Sequence, residues 1–408
     1  MNDFEIIMAS ITGVDKPGLT SQLAAIIAKY GATILDIGQA DIHSSLSLGI
    51  MFKSDKSASG SILKEMLFKS CEMGVQVRFA PVSVEEYNHW VSLQGKNRHI
   101  VTLLGRDISA SLIADVAKVL ADQNLNIDTI TRLTGRVPLV EDEALKGKTR
   151  ACVEMSVRGT PKDKPLLHSE FMRLSQERGY DISFQEDNLY RRNRRLICFD
   201  MDSTLIQTEV IDELAMRAGV GDEVKAITES AMRGEIDFCE SFKRRVSLLK
   251  GLDESVMKEI AENLPITEGV ARTLKILKQY GYKIAILSGG FTYFGEYLKE
   301  KFGIDYVYAN ELEIVDGKLT GNYVGDIVDG KRKADLLRLI AQSEHLNLQQ
   351  VIAVGDGAND LPMLNLAGLG IAYHAKPKVK QNAQQSISSI GIDGVLYMLG
   401  FKDSYIQQ

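Results

Sequence analysis

The first two hundred residues of the chain contain two copies of one pattern. In each copy, apolar residues recur at positions i, i+4, i+7 and i+8, which places them on one face of a helix. Gly31 in the first copy and Asn124 in the second follow the helix and are suited to a left-handed end. The copies are related by a shift of 93 positions, which aligns Leu19, Leu23, Ile26, Ile27, Gly31, Ile34 and Ile37 with Leu112, Val116, Val119, Leu120, Asn124, Ile127 and Ile130.

Short apolar strands surround each of these helices. One strand precedes the helix (IIMASITG and IVTLLG), two follow it, and a second helical pattern at roughly 60–74 and 164–179 leads to a closing strand. The resulting order is βαββαβ, twice. It predicts two α+β, ferredoxin-like domains at residues 1–85 and 98–187, each an antiparallel sheet with helices on one face.

The pattern changes at Leu196. Continuous apolar runs such as RLICFD, KIAILSG and VIAVGD now alternate with long helical patterns. Runs of this kind are typical of parallel strands buried on both faces, and they predict a doubly wound α/β domain at residues 196–408. Residues 209–266 show only helical patterns, and we expect them to form a cap over the carboxyl ends of the strands.

Composition and charge exclude several classes of protein. The net charge is −6, which argues against nucleic acid as a partner. No apolar run reaches the roughly 18 residues of a membrane helix, and the acidic start MNDFEIIMAS is unlike a signal peptide, so no membrane partner and a cytoplasmic location are expected. The four cysteines are scattered, so neither a disulfide framework nor a zinc site is expected.

A basic stretch precedes the α/β region. It contains Arg191, Arg192, Arg194 and Arg195, four arginines in five residues. A solvated linker is the favoured interpretation, and a contact with an acidic partner is the alternative.

The stretch CFDMDSTLI ends a buried strand in two carboxylates, Asp200 and Asp202. Side chains at i and i+2 of an extended segment point the same way, so both should enter one cleft at the carboxyl edge of the sheet. Two solvated turn aspartates would more often lie in a polar stretch than after Leu196 to Phe199. Paired carboxylates of this kind need a cation or a proton between them.

Three further pieces follow in chain order. Ser288 and Gly289 end the next strand and suit a phosphate cradle, although a plain turn has the same composition. Lys333 begins a helical pattern, where a solvated lysine is the ordinary alternative. The last motif, GDGAND, carries oxygen ligands of the kind that Mg²⁺ prefers, at Asp356, Asn359 and Asp360.

Together the four motifs resemble the haloacid dehalogenase superfamily of aspartyl-phosphate phosphotransferases over roughly 196–400. The resemblance implies that Asp200 is the nucleophile and Asp202 the general acid and base. It also implies that Asp200, the Asp202 main-chain carbonyl and Asp356 hold Mg²⁺. The phosphoryl group would be bound by Ser288, Gly289 and Lys333, with Asn359 and Asp360 in support.

DMDSTLIQTEVIDELA, MRGEIDF with ESFKRRV, and GDGANDLPML resemble the phosphoserine phosphatase family. That resemblance implies hydrolysis of O-phospho-L-serine, the last step of serine biosynthesis, with Glu209, Phe238 and Arg245 lining the substrate pocket. One acid and one guanidinium suit a substrate that carries an ammonium and a carboxylate group. Another small phospho-metabolite phosphatase, or a phosphoserine:homoserine phosphotransferase, is the alternative within the class.

The two N-terminal copies resemble ACT domains, which bind amino acids and often dimerise. The resemblance implies an amino-acid effector at the loop GVDKPGLT, through Asp15, Pro17 and Gly18, and a homodimer. The second copy has GRDISASL and lacks the matching glycine, so purely structural packing is an equal alternative there. A rival from another class is an amino-acid-sensing regulator with an inactive hydrolase half, which the intact acidic motifs oppose.

Overall fold

The computed structural model describes residues 3–93, 97–136 and 149–406, together with Gly95 and Gly147. Of the predicted domain ranges, residues 1–2 of the first, 137–146 and 148 of the second, and 407–408 of the third lie outside the described residues. The chain divides into two compact units, Met1–Lys96 and Asn97–Gln408. Among the described residues, none of the helices combines the length and the apolar character that a bilayer crossing requires.

The first unit is the predicted βαββαβ fold. Its antiparallel sheet has the order β2-β3-β1-β4. Alternate residues of β3 are buried because one face of the sheet packs against two helices. A third helix, not predicted, begins at a capping box between Ser83 and Glu86. The elements are β1 (Phe4–Val14), α1 (Leu19–Lys29), β2 (Thr33–Ile42), β3 (Ser45–Asp55), α2 (Lys56–Met73), β4 (Val75–Val82) and α3 (Val84–Ser92).

The second copy begins the second unit and repeats this topology. Its sheet order is β6-β7-β5-β8, the counterpart of the first. The left-handed residues predicted after the first helix of each copy are confirmed, with φ of 66° at Gly31 and 60° at Asn124. The elements are β5 (Arg98–Gly105), α4 (Ala110–Asp122), β6 (Asn126–Arg132), β7 (Ala151–Arg158), α5 (Lys164–Arg178) and β8 (Asp181–Glu186).

The α/β region forms a seven-stranded sheet of order β12-β11-β10-β9-β13-β14-β15. All neighbouring strands are parallel except the last pair at one edge, where β12 runs antiparallel to β11. The sheet is therefore mixed at that edge, where the sequence predicted parallel strands throughout. The strands are β9 (Leu196–Phe199), β10 (Lys283–Phe291), β11 (Tyr306–Val315), β12 (Lys318–Val324), β13 (Val351–Gly355), β14 (Leu369–Tyr373) and β15 (Gln385–Ile387).

Helices cover the sheet and its carboxyl edge. The segment between β9 and the next body helix contains four helices, as its helical patterns predicted, and an isolated bridge between Ile206 and Ile266 closes its base. These four are α7 (Val210–Ala218), α8 (Gly221–Met232), α9 (Phe238–Ser247) and α10 (Ser255–Glu262). The remaining helices are α6 (Leu189–Arg192), α11 (Val270–Gln279), α12 (Thr292–Phe302), α13 (Gly330–Ser343), α14 (Leu361–Leu366), α15 (Pro377–Asn382), α16 (Gly394–Met398) and α17 (Asp403–Ile406).

The second copy shares a core with the α/β region. Leu104 and Cys152, from its sheet, belong to the same buried cluster as Ile197 of β9. Beside this core, the buried carboxylate of Asp181 accepts hydrogen bonds from the Ser388 and Ser389 amides at 2.9 Å. Apolar and polar contacts therefore join the two parts of this unit.

The basic stretch is not a solvated linker, and that interpretation was wrong for two of its arginines. Only 6% of Arg191 and 5% of Arg194 is exposed. Arg191 pairs with Glu154 of β7 at 2.6 Å. Arg191 and Arg194 are buried because they lie where the second copy packs against the start of the α/β sheet, whereas Arg192 and Arg195 are exposed.

Candidate active site

Asp200 follows the central strand of the sheet. Strand β9 lies between β10 and β13, and its pairing with β13 continues one residue further, with the Asp200 amide donating to the Val354 carbonyl at 2.9 Å. The residue is only 5% exposed, and Oδ1 accepts a hydrogen bond from the Met201 amide at 2.8 Å. The nucleophile predicted from the sequence is thus held rigidly at the carboxyl edge of the sheet.

Asp202 lies beside it, 8% exposed, and accepts a hydrogen bond from the Val210 amide at 3.2 Å. Burial raises its pKa well above the usual range, and the charges of Glu209 and Asp200 add to that effect. Gly290 packs so closely that a β-carbon there would overlap the Asp202 carboxylate. A carboxyl group with a raised pKa can hold and deliver a proton.

Lys333 is completely buried, so the alternative of a solvated surface lysine is excluded. It lies in the first turn of α13, which Asp329 caps. Its Nζ atom is 2.9 Å from Asp200 Oδ2 and 2.7 Å from Asp360 Oδ1. Burial alone would lower the pKa of Lys333, but the two carboxylates raise it above its usual value. The lysine therefore stays charged in the site.

A carboxylate cluster lies next to this lysine. Oxygen atoms of Asp200, Asp356 and Asp360 lie within 4.8 Å of one another. Burial, and then the charge of Asp200, raises the pKa of Asp356 to about 8 and that of Asp360 to about 7. One lysine does not balance three carboxylates, and this excess of hard oxygen donors fits a divalent cation such as Mg²⁺.

Asp360 is the least available member of the cluster. One of its oxygens is taken by Lys333 and the other accepts the Gly357 amide at 3.0 Å. Asp356, by contrast, accepts only the Thr204 hydroxyl among the described residues, at 3.0 Å. The geometry therefore favours Asp200 and Asp356 as ligands and Asp360 as a support for the lysine. Asn359 lies on the same one-turn helix, Ala358–Asp360.

Ser288 and Gly289 lie at an irregular point of β10. The pairing of β10 with β11 shifts between Leu287 and Phe291, which frees the intervening backbone. The buried Ser288 Oγ accepts the Gly290 amide at 2.9 Å. Asn310, which the sequence analysis missed, donates to the Gly289 carbonyl and accepts from the Val328 amide, both at 2.8 Å. It fixes the loop, and no local motif marked it.

Of the three predicted pocket residues of the cap, one lies just before α7 and two lie on α9. Glu209 precedes α7 and accepts a hydrogen bond from the Ser203 hydroxyl at 2.8 Å. Phe238, at the start of α9, packs on Gly289, where an added β-carbon would lie 2.9 Å from the ring. Arg245, on the same helix, is mostly buried, which lowers its pKa, while the charges of Glu209 and Asp212 oppose that effect.

Ser203 and Thr204 form the turn between the two carboxylates and the cap. Ser203 has a φ of 56°, an uncommon value for a residue other than glycine. In this turn the two neighbouring hydroxyl groups contact different carboxylates. Ser203 donates a hydrogen bond to Glu209, and Thr204 donates one to Asp356. Both residues were visible in the motif, but their contacts were not predicted.

The predicted effector loop lies in the other unit, between β1 and α1. Asp15, Pro17 and Gly18 are exposed. Gly18 precedes α1 with a φ of 89°, a value that glycine adopts without strain.

Three family models match the chain. Residues 194–368 match the haloacid dehalogenase-like hydrolases. Residues 5–80 and 97–185 each match an ACT domain model.

Curated relatives cover almost the whole chain. The phosphoserine phosphatase of Mycobacterium tuberculosis is 38% identical over 97% of this chain and 93% of its own length. That of Archaeoglobus fulgidus is 43% identical over 80% of this chain and 90% of its own. A crystal structure of a probable phosphoserine phosphatase from Vibrio cholerae, 36% identical, covers 74% of this chain and 86% of its own with a TM-score of 0.59. The chain therefore belongs to the phosphoserine phosphatase family of haloacid dehalogenase-like hydrolases, with two N-terminal ACT domains.

Proposed function

We propose that the chain hydrolyses O-phospho-L-serine to serine and inorganic phosphate through an aspartyl phosphate on Asp200. The observation that carries the proposal is the contrast between two adjacent carboxylates. Asp200 is paired with the buried Lys333, whereas Asp202 has a raised pKa. A carboxylate held in an ion pair can act as a nucleophile, and a protonated carboxyl group can act as an acid. Nucleophilic attack and proton transfer are therefore carried out by separate residues.

In the first step, a carboxylate oxygen of Asp200 forms a bond to phosphorus while the bond from phosphorus to the serine oxygen breaks. The Asp202 carboxyl group gives its proton to the departing serine oxygen. In the second step, Asp202 takes a proton from water, whose oxygen attacks phosphorus and releases Asp200 and phosphate. Dividing one displacement into two is the general advantage of covalent catalysis.

Lys333, Ser288, the Gly289 amide and Asn359 are the groups we assign to the phosphoryl oxygens. The burial of Lys333 supports this assignment, because a charge in a dry site acts strongly on a developing anion. The metal ligands we propose are Asp200, the Asp202 main-chain carbonyl and Asp356. A bound Mg²⁺ supplies positive charge that offsets the charge of the phosphoryl oxygens.

The cap residues support a substrate with both an ammonium and a carboxylate group. We assign the ammonium to Glu209 and the carboxylate to the planar guanidinium of Arg245. Phe238 packs against Gly289 and so joins this pocket to the phosphoryl cradle. A phosphate ester without a carboxylate lacks the partner of Arg245 and is expected to be a poorer substrate.

The test is release of phosphate from O-phospho-L-serine by the pure protein, with Mg²⁺ and with a chelator. Turnover that stops on chelation supports the proposal. A parallel reaction with homoserine separates hydrolysis from transfer, because a phosphotransferase would give phosphohomoserine in place of phosphate. A protein that binds amino acids and releases no phosphate would be the regulator considered above.

We also propose that the first ACT domain binds a free amino acid, serine as the end product, and that the chain acts in the cytoplasm as a homodimer. The support for the amino-acid site is the exposed turn of Asp15, Pro17 and Gly18 before α1, because the amino end of a helix favours a carboxylate. Gly18→Val should abolish any effect of added serine on the rate and leave catalysis without serine unchanged. An unaltered serine effect would oppose the proposal.

We retain residues 1–85, 98–187 and 196–408 as the domain boundaries, with the cap at 209–266. The family models fall within or close to these limits. The packing of the second copy against the α/β region makes these two domains one structural unit.

A further inference from the structure

Among the residues that the structure describes, Arg194 is a buried cation without a carboxylate partner. It is 5% exposed, and its side-chain hydrogen bond among the described residues goes to a neutral group, Gln185 Oε1, at 3.2 Å. Its Nε atom is buried and has no hydrogen-bond partner there. Arg191, three residues earlier and equally buried, pairs with Glu154 at 2.6 Å. The same stretch thus contains one neutralised arginine and one that is not.

Such a group is costly to bury. Desolvation, with repulsion from Arg191, lowers the pKa of Arg194 to about 10, so the group remains charged at neutral pH. An ionised group is normally buried only with a partner that compensates the lost hydration. The absence of a partner within the described part of the chain points to a partner that is a separate molecule.

Arg194 lines a cavity of about 630 Å³ that could admit such a molecule. The walls come from α5 and β8 of the second ACT domain and from the end of α14 and the start of β14. Lys164 and His168 lie on one wall, and the amides of Asn365 and Gln349 lie on the other. The carboxylate among the lining residues, Glu186, is 3.4 Å from Lys164 and is exposed.

The cavity is separate from the catalytic cleft. Arg194 lies two residues before β9, and Gly368 lies one residue before β14. Both residues therefore lie at the edge of the sheet where the parallel strands begin. The catalytic carboxylates follow the carboxyl end of β9. A ligand in this cavity would contact none of the groups assigned to the reaction.

We propose that this cavity binds a small oxyanion, a carboxylate or a phosphate group, through the guanidinium of Arg194, with Lys164 as a second cation. The planar fork of arginine matches two oxygens of either group. Because the walls belong to the second ACT domain and to the α/β region, a bound anion strengthens the joint between them. The site goes beyond the proposed reaction and does not depend on it.

The test is an NMR titration of the full-length protein, observing the Nε–H signals of its arginines. The Arg194 signal is assigned by its loss in Arg194→Lys, and the Arg192 signal by its loss in Arg192→Lys. Arg192 is the matched control because it is in the same stretch, 73% exposed, and 3.6 Å from Asp187. Inorganic phosphate, L-serine and acetate are added at constant ionic strength with chloride.

We expect a saturable shift of the Arg194 signal and no saturable shift of the Arg192 signal. Saturation by phosphate alone identifies a phosphate site, and saturation by serine and acetate identifies a carboxylate site; either supports the proposal. An Arg194 signal that does not move with any of the three, or that moves linearly together with that of Arg192, overturns it.

A second variant avoids any change to the buried arginine. Asn365 is exposed and lines the cavity, so Asn365→Asp adds a negative charge there without altering the core. We expect at least about tenfold weaker anion binding and unchanged turnover of the substrate. Asn263→Asp, on the exposed end of α10, is the control and should bind the anion like the unmodified protein. Equal affinity in both variants would contradict the site.

Discussion

The Nζ atom of Lys333 lies 2.9 Å from Oδ2 of Asp200, and neither side chain is more than 7% exposed. The ion pair orients the carboxylate. The same lysine is 2.7 Å from Asp360, which in turn accepts the Gly357 amide. The nucleophile is therefore positioned by a chain of contacts that runs from β9 through α13 to the loop after β13.

Replacing Asp200 with Asn should abolish turnover. An amide is a poor nucleophile and a weaker metal ligand than a carboxylate. Phosphate release from phosphoserine is the measurement, with mass spectrometry to exclude deamidation back to aspartate. Appreciable activity in the intact variant would refute the covalent mechanism.

Lys333→Met should lower the free energy of unfolding by roughly 3–5 kcal/mol, because it leaves buried carboxylates without their cation. Urea unfolding in the presence of a chelator measures the loss without compensation by a metal. Lys331→Met is the matched control, since Lys331 is an exposed residue of the same helix. A similar small change in both variants would show that the buried pair contributes little.

Arg245→Lys keeps the charge but removes the planar fork. We expect kcat/KM for phosphoserine to fall. The fall corresponds to a loss of about 1–3 kcal/mol in transition-state stabilisation. For phosphoethanolamine, which has no carboxylate, the loss should disappear. Arg244→Lys serves as the control, because Arg244 is exposed and pairs with Glu240. Equal losses on both substrates would rule out recognition of the carboxylate by Arg245.

Gly290→Ala should reduce kcat severely while the protein stays folded. The added methyl group would overlap the Asp202 carboxylate and lie 2.9 Å from Met201 Cε, so the general acid must move. A displacement of this size costs on the order of a hundredfold in rate. Gly60→Ala, in open space on α2, is the control and should leave kcat unchanged. Normal turnover in Gly290→Ala would show that Asp202 has freedom that the structure does not indicate.

Asp181→Ala should destabilise the joint between the second ACT domain and the α/β region. It leaves the Ser388 and Ser389 amides without their acceptor, and each lost partner of a buried group costs about 1–3 kcal/mol. Thermal unfolding followed by loss of activity measures the effect. Asp122→Ala, at the exposed end of α4, should change little. An unchanged midpoint for Asp181→Ala would show that this contact does not couple the two domains.

Local patterns in the sequence were enough to predict the two ACT domains and the position of the catalytic carboxylates. The helix periodicity and the residues suited to left-handed conformation located both ACT domains, since both are properties of a few consecutive residues. The position of Asp200 and Asp202 followed in the same way, because the carboxyl end of a buried parallel strand is where an α/β sheet binds its ligand. The family resemblance added the assignment of roles.

Tertiary structure decided what depends on distant residues. Whether Lys333 is solvated or buried depends on Asp360, 27 positions later, and on Asp200, from another strand. Asn310 fixes the Gly289 loop from a strand 21 positions away. Arg194 looks like a linker residue until the second ACT domain packs over it. Burial is a property of the whole assembled fold, so a charged residue in a polar stretch gives no local sign of it.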